Sequence, residues 1–366
     1  MQTPIVQFGT SRFLQAHVDL FVSEALARGE AMGRITVVQT TNSPDSAARV
    51  AAFNAGAFPV LIRGLTEGGV VDRRVAVSSV ARAFSAAADW AAVEAAVVDE
   101  ARALVSNTGD RGYDLDASDT VDTPVPHSFP AKLCRLLHAR WRHRAEPLDI
   151  YPCELVSGNG DALRGIVVAL ARQWGHEPAF VAWLEQRCRW VNSLVDRIVS
   201  EPLFPVGAVA EPYALWAIGA APGLVPICVH PDVVMTGDLA QYERLKLLIL
   251  NLGHTYLAAR WLADRRAADE TVRRALEDRG LRADLDAVYD QEVLPVFAAM
   301  GLGEAASAYR RVTMERFANP FLDHRIADIA GNHAMKLQRR FRLLLDLADR
   351  HGVSGQPRLR AVLAAA

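Results

Sequence analysis

Ile5-Val-Gln-Phe8-Gly9-Thr10-Ser11-Arg12-Phe13-Leu-Gln-Ala-His17 is the stretch that decides the fold. A short apolar strand runs into a glycine, and Val18, Leu20, Phe21, Ala25 and Leu26 continue in helical rhythm. Strand, glycine turn and helix open a dinucleotide-binding unit. The glycine permits the tight turn, and the helix start offers N–H groups to a pyrophosphate. Ser11 and Leu14 occupy the places of the usual second and third glycines, so the GxGxxG pattern is not met. Gly9, Thr10, Ser11, Arg12 and Phe13 are the candidates for holding a cofactor at this turn.

Working outward, Arg34-Ile-Thr-Val-Val-Gln-Thr-Thr41 reads as the second strand. An acid that holds the adenosine ribose often ends such a strand. Here the chain continues Gln39-Thr40-Thr41-Asn42, and Asn42 is the residue placed to bond a ribose hydroxyl. A short helix is expected over 47–53. Strands are expected over 58–63 and 74–81, joined across Gly68-Gly69, and a helix over 90–98. Ala103-Leu-Val-Ser106-Asn107-Thr108-Gly-Asp110 is a strand that ends in a polar turn. Carboxyl ends of this kind border the ligand crevice of a doubly wound sheet, which makes Ser106, Asn107 and Thr108 cofactor candidates, although an ordinary turn has the same composition. Residues 116–127 read as a loop and 129–142 as a basic amphipathic helix. The strand 148–155 leads through Ser157-Gly-Asn159-Gly-Asp161 into a helix over 162–174, and another helix is expected over 178–187. Val225–His230 and Val233–Met235 read as short strands.

Composition bounds the rest. The chain has 366 residues, about half of them hydrophobic, and a net charge of −2 with acids and bases interspersed. That is a globular protein with a large core, carrying no basic surface for nucleic acid or membrane. Met1-Gln-Thr-Pro-Ile-Val-Gln-Phe8 has no basic stretch ahead of a long apolar run, so no leader is expected, and a cytoplasmic location is. Cys134, Cys153, Cys188 and Cys228 are scattered without a CxxC, which reads as free thiols and no metal spacing. From Gly237 the pattern turns helical almost to Ala366, with breaks near Arg279-Gly280, Gly301, Pro320 and 352–357. The expected organisation is therefore α/β: a Rossmann-type dinucleotide-binding domain over 1–237, an all-helical domain over 238–366, and the cleft between them as the working site.

Glu243-Arg-Leu-Lys246-Leu-Leu-Ile-Leu-Asn251-Leu-Gly-His254 lies early in the helical part. At roughly 100° per residue, Glu243, Lys246, Asn251 and His254 fall within about 140° of one another on an otherwise apolar helix. A desolvated lysine suits general acid/base work, an asparagine amide can donate to an oxyanion, and a histidine can bind a hydroxyl. The same residues also read structurally: a snorkelling lysine, a helix irregularity at Asn251 and Gly253, and a core histidine.

The order of these pieces resembles the polyol-specific long-chain dehydrogenase family, which includes mannitol dehydrogenases and hexuronate reductases. The resemblance covers nearly the whole chain and is nearest to the hexuronate reductases. It rests on Val6-Gln-Phe-Gly9, Leu61-Ile-Arg-Gly-Leu65, Val105-Ser-Asn-Thr108, Ser128-Phe-Pro-Ala-Lys132-Leu, Pro152-Cys-Glu-Leu155, Asn159-Gly-Asp-Ala-Leu163, Leu194-Val-Asp-Arg-Ile-Val199, Arg316-Phe-Ala-Asn-Pro-Phe321 and the Lys246-x4-Asn251-x2-His254 spacing. The resemblance implies Lys246 as general acid/base, Asn251 and Asn192 as oxyanion donors, His254 as a substrate contact and Glu243 as proton relay. It also implies Arg316 facing substrate, and catalysis without zinc. NAD is the expected cofactor, with NADP kept open by Arg49. Lys336, Arg339 and Arg340 could pair a substrate carboxylate or form a solvated helix face. The expected activity is oxidoreduction of a sugar acid of the altronate/tagaturonate type, or a polyol, and its keto form. A mannitol-type polyol or polyol-phosphate dehydrogenase is the alternative. A catalytically silent nucleotide-binding sensor is the remote one.

Overall fold

The computed structural model describes residues 3–42, 44–109 and 111–365; Met1, Gln2, Ser43, Asp110 and Ala366 lie outside the described residues. Among the described residues thirteen strands follow in chain order: β1 (Ile5–Phe8), β2 (Ile35–Gln39), β3 (Phe58–Thr66), β4 (Gly69–Val77), β5 (Val80–Ser85), β6 (Ala103–Ser106), β7 (Asp149–Pro152), β8 (Arg189–Trp190), β9 (Ser193–Asp196), β10 (Val199–Pro202), β11 (Ala208–Ala210), β12 (Leu215–Gly219) and β13 (Val233–Thr236). Six of them form one sheet in the order β5-β2-β1-β6-β7-β8. Every pair in it is parallel, with Ile5 opposite both Ile35 and Ala103. A parallel strand needs cover on both faces, which is why β1, β2, β6 and β7 are buried along their whole length. The strand order reverses between β1 and β6, and at such a reversal a doubly wound sheet opens its ligand crevice. Smaller sheets, β10-β11-β3-β4 and β13-β12-β9, complete the strands.

The chain divides into two compact units. One comprises Met1–Ile62, Arg73–Ala210 and Ala214–Leu239; the other comprises Arg63–Asp72, Glu211–Tyr213 and Ala240–Ala366. A single cut near residue 237 does not describe this division, because two short excursions belong to the helical unit. The core of the first unit gathers Val6, Phe8, Val38, Leu104 and Ile150 from the sheet with Leu133, Leu137, Leu163, Val167 and Phe180 from the helices over it. The core of the second is built from helices alone, among them Leu248, Leu252, Leu257, Tyr289, Phe297, Phe341 and Leu344. No helix among the described residues is long and apolar enough to cross a membrane.

Several expected elements take a different form. The stretch 74–81 is not one strand: β4 ends at Val77 and β5 begins at Val80. Between them the Ser78 N–H donates to Ser23 Oγ and the Ser79 hydroxyl to the Asp19 carbonyl, which turns the chain onto the main sheet. Val225–His230 forms no strand, only a bridge between Ala31 and Cys228. Pro226 lacks an N–H for a ladder, and Val225 and Val229 are exposed. The region 202–222, rich in proline and glycine, conceals β11 and β12.

Candidate functional site

One group of candidate residues lies where β1 and β6 end side by side. Gly9 takes φ +111°, and a side chain there would put its Cβ 2.4 Å from the Asn107 carbonyl oxygen, so only glycine lets the two turns meet. Ser11 caps the short helix Arg12–Gln15 by accepting from the Leu14 N–H at 3.2 Å, and its hydroxyl donates to Asn107 Oδ1 at 3.0 Å. Thr10 donates to Gln39 Oε1 at 2.6 Å, and the Gln39 amide donates on to Thr41. Thr10 thus ties the glycine turn to the end of β2. Arg49 reaches the Thr10 hydroxyl at 3.4 Å. Phe13 stacks on His17, while Arg12 is exposed and donates to the Ser200 carbonyl. Asn42 is exposed past the end of β2, with no acid at that strand end.

Ser106, Asn107 and Thr108 do less for a ligand with their side chains than the sequence suggests. Ser106 Oγ, the Thr108 N–H, Thr108 Oγ1 and Tyr113 OH all donate to the carboxylate of Glu154, at 3.0, 3.1, 3.0 and 3.3 Å. Asn107 donates to the Cys153 carbonyl at 2.7 Å. These side chains fix the shape of the turn after β6. Glu154 is 4 % exposed, and burial raises its carboxyl above the usual range while the donors oppose that shift. The run Pro152-Cys-Glu-Leu155 gave this acid no role; an acid two residues past the end of a buried strand was the available signal.

Asn192 stands at the end of the short connection from β8 to β9. Its Oδ1 accepts the Asp161 N–H at 3.0 Å and its Nδ2 donates to Asp161 Oδ2 at 2.7 Å. Both ends of the amide are thereby oriented by the first turn of the helix Asn159–Gln173.

A separate group of candidate residues lies in the helical unit. The segment from 239 onward is not one regular α-helix. The helix Leu239–Leu245 passes into a π-helical turn, Lys246–Leu250, and then into the helix Asn251–Ala263. In that turn the Asn251 N–H donates to the Lys246 carbonyl five residues back. In a regular helix Asn251 would stand about 140° round from Lys246 at roughly 100° per residue. A turn closed over five residues brings residue 251 back beneath 246, and His254 follows one α-turn later. The π turn therefore narrows the polar arc that the α-helical count predicts. Lys246 and Asn251 are partly buried and His254 is 7 % exposed. The His254 ring packs against Phe317 at 4.5 Å and His324 at 4.9 Å.

Gly253 and Tyr289 account for the irregularity. Tyr289 is fully buried, and its hydroxyl donates to the Ile249 carbonyl at 2.9 Å, inside the π turn. A Cβ on Gly253 would fall 1.9 Å from that hydroxyl. The glycine is the notch through which a side chain enters the helix ladder, one of the known causes of a distorted helix.

Three basic residues were offered as substrate contacts, and the structure separates them. Arg316 is 4 % exposed and is bound by both ends of the buried Glu211 carboxylate, Nε to Oε2 at 3.0 Å and Nη2 to Oε1 at 2.8 Å. Its guanidinium also lies 4.6 Å over the Tyr213 ring. Asn319, from the same Arg-Phe-Ala-Asn-Pro run, donates to the Arg63 carbonyl at 3.2 Å. That run fastens the excursions Glu211–Tyr213 and Arg63–Asp72 to the helix Gly303–Phe317 and holds the Arg316 guanidinium on Glu211. Arg340 lies against the end of the π turn. Arg340 Nη1 donates to the Asn251 carbonyl at 2.9 Å and to Thr255 Oγ1, while Lys336 donates to the Ile329 carbonyl at 2.7 Å. Among the described residues, Arg340 Nη2 and Nε have no protein acceptor. Burial, then the charge of Arg339, brings the Arg340 guanidinium down to about 10; burial, then Arg340, lowers Lys336. Burial and these two cations also lower His333. Such a cluster of cations favours an anion.

A parallel sheet whose strand order reverses beside a glycine turn is the architecture of a Rossmann-type dinucleotide-binding domain. Residues 3–223 match the mannitol dehydrogenase Rossmann domain and residues 238–366 the mannitol dehydrogenase C-terminal domain. The chain belongs to the mannitol dehydrogenase family of oxidoreductases. It is 34 % identical to altronate oxidoreductase of Klebsiella pneumoniae (strain 342), a match covering 99 % of this chain and 78 % of that one. It is 29 % identical to altronate oxidoreductase of Bacillus subtilis (strain 168), over 92 % of this chain and 73 % of that one. Two solved structures share the fold. D-sorbitol dehydrogenase in substrate-free form gives a TM-score of 0.81 at 21 % identity, over 97 % of this chain and 78 % of that one. The Pseudomonas fluorescens mannitol 2-dehydrogenase ternary complex with NAD and D-mannitol gives 0.75 at 20 % identity, over 100 % and 78 %.

Proposed function

We propose that this chain is an NAD-dependent oxidoreductase that interconverts a sugar acid of the altronate/tagaturonate type with its keto form. The observation that carries the reading is the polar face of the π turn with Arg340 bound to its carbonyl. Lys246 and Asn251, proposed for acid/base and oxyanion work, share one helix, and Arg340, proposed for the carboxylate, reaches it from another. The names of the similar altronate oxidoreductases support the same substrate class.

The residues at the sheet reversal suit a dinucleotide: Gly9 leaves no side chain in the way, the helix start at Ser11 turns N–H groups outward, and Asn42 offers a polar group past β2. NAD is favoured because the end of β2 carries no arginine, although Arg49 stands near Thr10. When bound, the nicotinamide accepts hydride from the carbinol carbon or returns it. The chain does the rest. Lys246 takes the hydroxyl proton during oxidation and gives it to the ketone oxygen during reduction. Asn251 donates a hydrogen bond to that oxygen, and the same role is proposed for Asn192. His254 contacts a neighbouring hydroxyl, and Glu243, one turn before Lys246, passes the proton to solvent. Lys336 and the unspent N–H groups of Arg340 hold the carboxylate. The chemistry needs no zinc.

The test is absorbance of reduced nicotinamide with aldonates, neutral polyols and polyol phosphates, on wild type and Lys246→Ala. Turnover should be highest with an aldonate. Lys246→Ala should lose about 10²–10⁴ in rate, the usual contribution of a general acid/base, while binding NAD as before. A variant that keeps more than about a tenth of the turnover removes Lys246 from the mechanism. Preference for mannitol would transfer the enzyme to the polyol branch.

A further inference from the structure

Three side chains of the first unit converge on one point away from the turns that carry Gly9 and Asn107. His138 lies on the helix Phe129–His143, and His176 and Glu177 form the turn ahead of the helix Pro178–Gln186. A ring nitrogen of each histidine and a carboxylate oxygen of Glu177 all lie within 4.8 Å of one another. His138 Nε2 and Glu177 Oε2 are 2.9 Å apart, and the two imidazole rings are 3.9 Å apart at 30°. His176 Nε2 is buried and has no hydrogen-bond partner among the described residues. Phe180 closes the apolar side with its edge to both imidazoles, and Trp141 stacks on His138.

An orphaned imidazole nitrogen beside a carboxylate is a costly arrangement for stacking alone, because a buried polar atom without a partner is penalised. Two imidazoles and one carboxylate are nitrogen and oxygen donors of the kind zinc accepts, with a fourth position left to water. Arg135 and Arg142 are the nearby cations, and the carboxylate of Glu177 offsets their field.

We propose that His138, His176 and Glu177 form a binding site for one divalent transition-metal ion, zinc by its donor set, which clips the helix Phe129–His143 to the turn ahead of Pro178. The role is structural. None of the three residues belongs to the glycine turn, the Asn107 turn or the helix of Lys246, so the ion takes no part in hydride or proton transfer.

The experiment uses the full chain stripped of metal and titrated with Zn²⁺ by calorimetry and with Co²⁺ by visible absorption. Wild type should take up one equivalent and show a higher Tm. His138→Ala/His176→Ala should lose that equivalent while its circular dichroism and turnover stay as in wild type. Glu177→Gln should weaken binding by more than the roughly tenfold that even an outer-sphere neighbour of a ligand can command. Absence of stoichiometric uptake by wild type, or uptake unchanged in the double variant, overturns the site. Turnover that collapses on chelation and returns with Zn²⁺ overturns its structural role.

Discussion

Gly253→Ala tests whether the π turn is built by a buried tyrosine. The added methyl would lie 1.9 Å from Tyr289 Oη, 3.0 Å from its Cζ and 3.1 Å from Phe317 Cε2. Tyr289 is 0 % exposed and bonded to the Ile249 carbonyl, so it has no solvent to retreat into. Overpacking of this kind costs about 1–3 kcal/mol. Losing the tyrosine's hydrogen bond adds about 1 kcal/mol, and replacing a helical glycine by alanine returns about 1 kcal/mol. A net destabilisation of about 1–3 kcal/mol is expected by urea unfolding. Turnover should fall further than stability does, because residue 253 lies between Asn251 and His254 along the chain and its displacement carries them with it, and a displacement of 1 Å can cost about 10² in rate. Tyr289→Phe alone should cost about 1 kcal/mol. In Gly253→Ala/Tyr289→Phe the oxygen at 1.9 Å is gone and the nearest contact becomes 3.0 Å, so the pair should be more stable than the sum of the single changes predicts. Gly253→Ala with wild-type stability and turnover would refute the reasoning, and so would strict additivity of the two changes.

Asp19 is sealed in the first turn of the helix Val18–Arg28 beside Gln7, and burial pushes its carboxyl up from 3.8 to about 8. Folding thus favours the protonated form. Its contribution is complete below about pH 4 and declines as pH rises towards 8, by up to about 1.4 kcal/mol per pH unit; Asp19→Asn should flatten that slope in urea melts recorded across the range. Arg316→Ala leaves Glu211 charged and buried, and should cost about 3–5 kcal/mol in stability. If only KM for substrate moves and the melt does not, the architectural role of Arg316 is mistaken. Glu154→Gln replaces an acceptor-only carboxylate facing four donors with an amide that must itself donate, so it should raise KM for NAD more than KM for substrate; equal changes would count against its hold on the turn after β6. Titration with both dinucleotides should favour NAD, and tighter binding of NADP would point to Arg49.

The parallel sheet was legible because its central strands are short, mostly apolar runs bounded by polar and glycine turns, and period and punctuation are sequence properties. Gly9 and the polar end of β6 could be picked out for the same reason, since a doubly wound sheet places chemistry at strand ends. What the chain did not disclose is pairing across distance. Ser106 and Thr108 look like ligand contacts until Glu154, far along the chain, is seen to accept from both. Arg316 reads as a substrate cation until the buried carboxylate of Glu211 closes on it.

The helix at Lys246 shows where counting residues stops being sufficient. A uniform 100° step gathers Glu243, Lys246, Asn251 and His254 onto an arc of about 140°, too wide for three groups to serve one oxygen and its neighbour. The structural alternative, an irregularity at Asn251 and Gly253, looked like a competitor to the catalytic reading. In the proposed mechanism the two are one feature. Tyr289 enters at Gly253, its hydroxyl takes the Ile249 carbonyl, and the ladder closes over five residues, which draws Asn251 under Lys246. A π turn costs helix stability and here needs a buried phenol and a glycine to persist. That expense is intelligible if the alignment it produces is what the enzyme requires, and it is why the variants at Gly253 and Tyr289 probe the chemistry from residues that bear none of it.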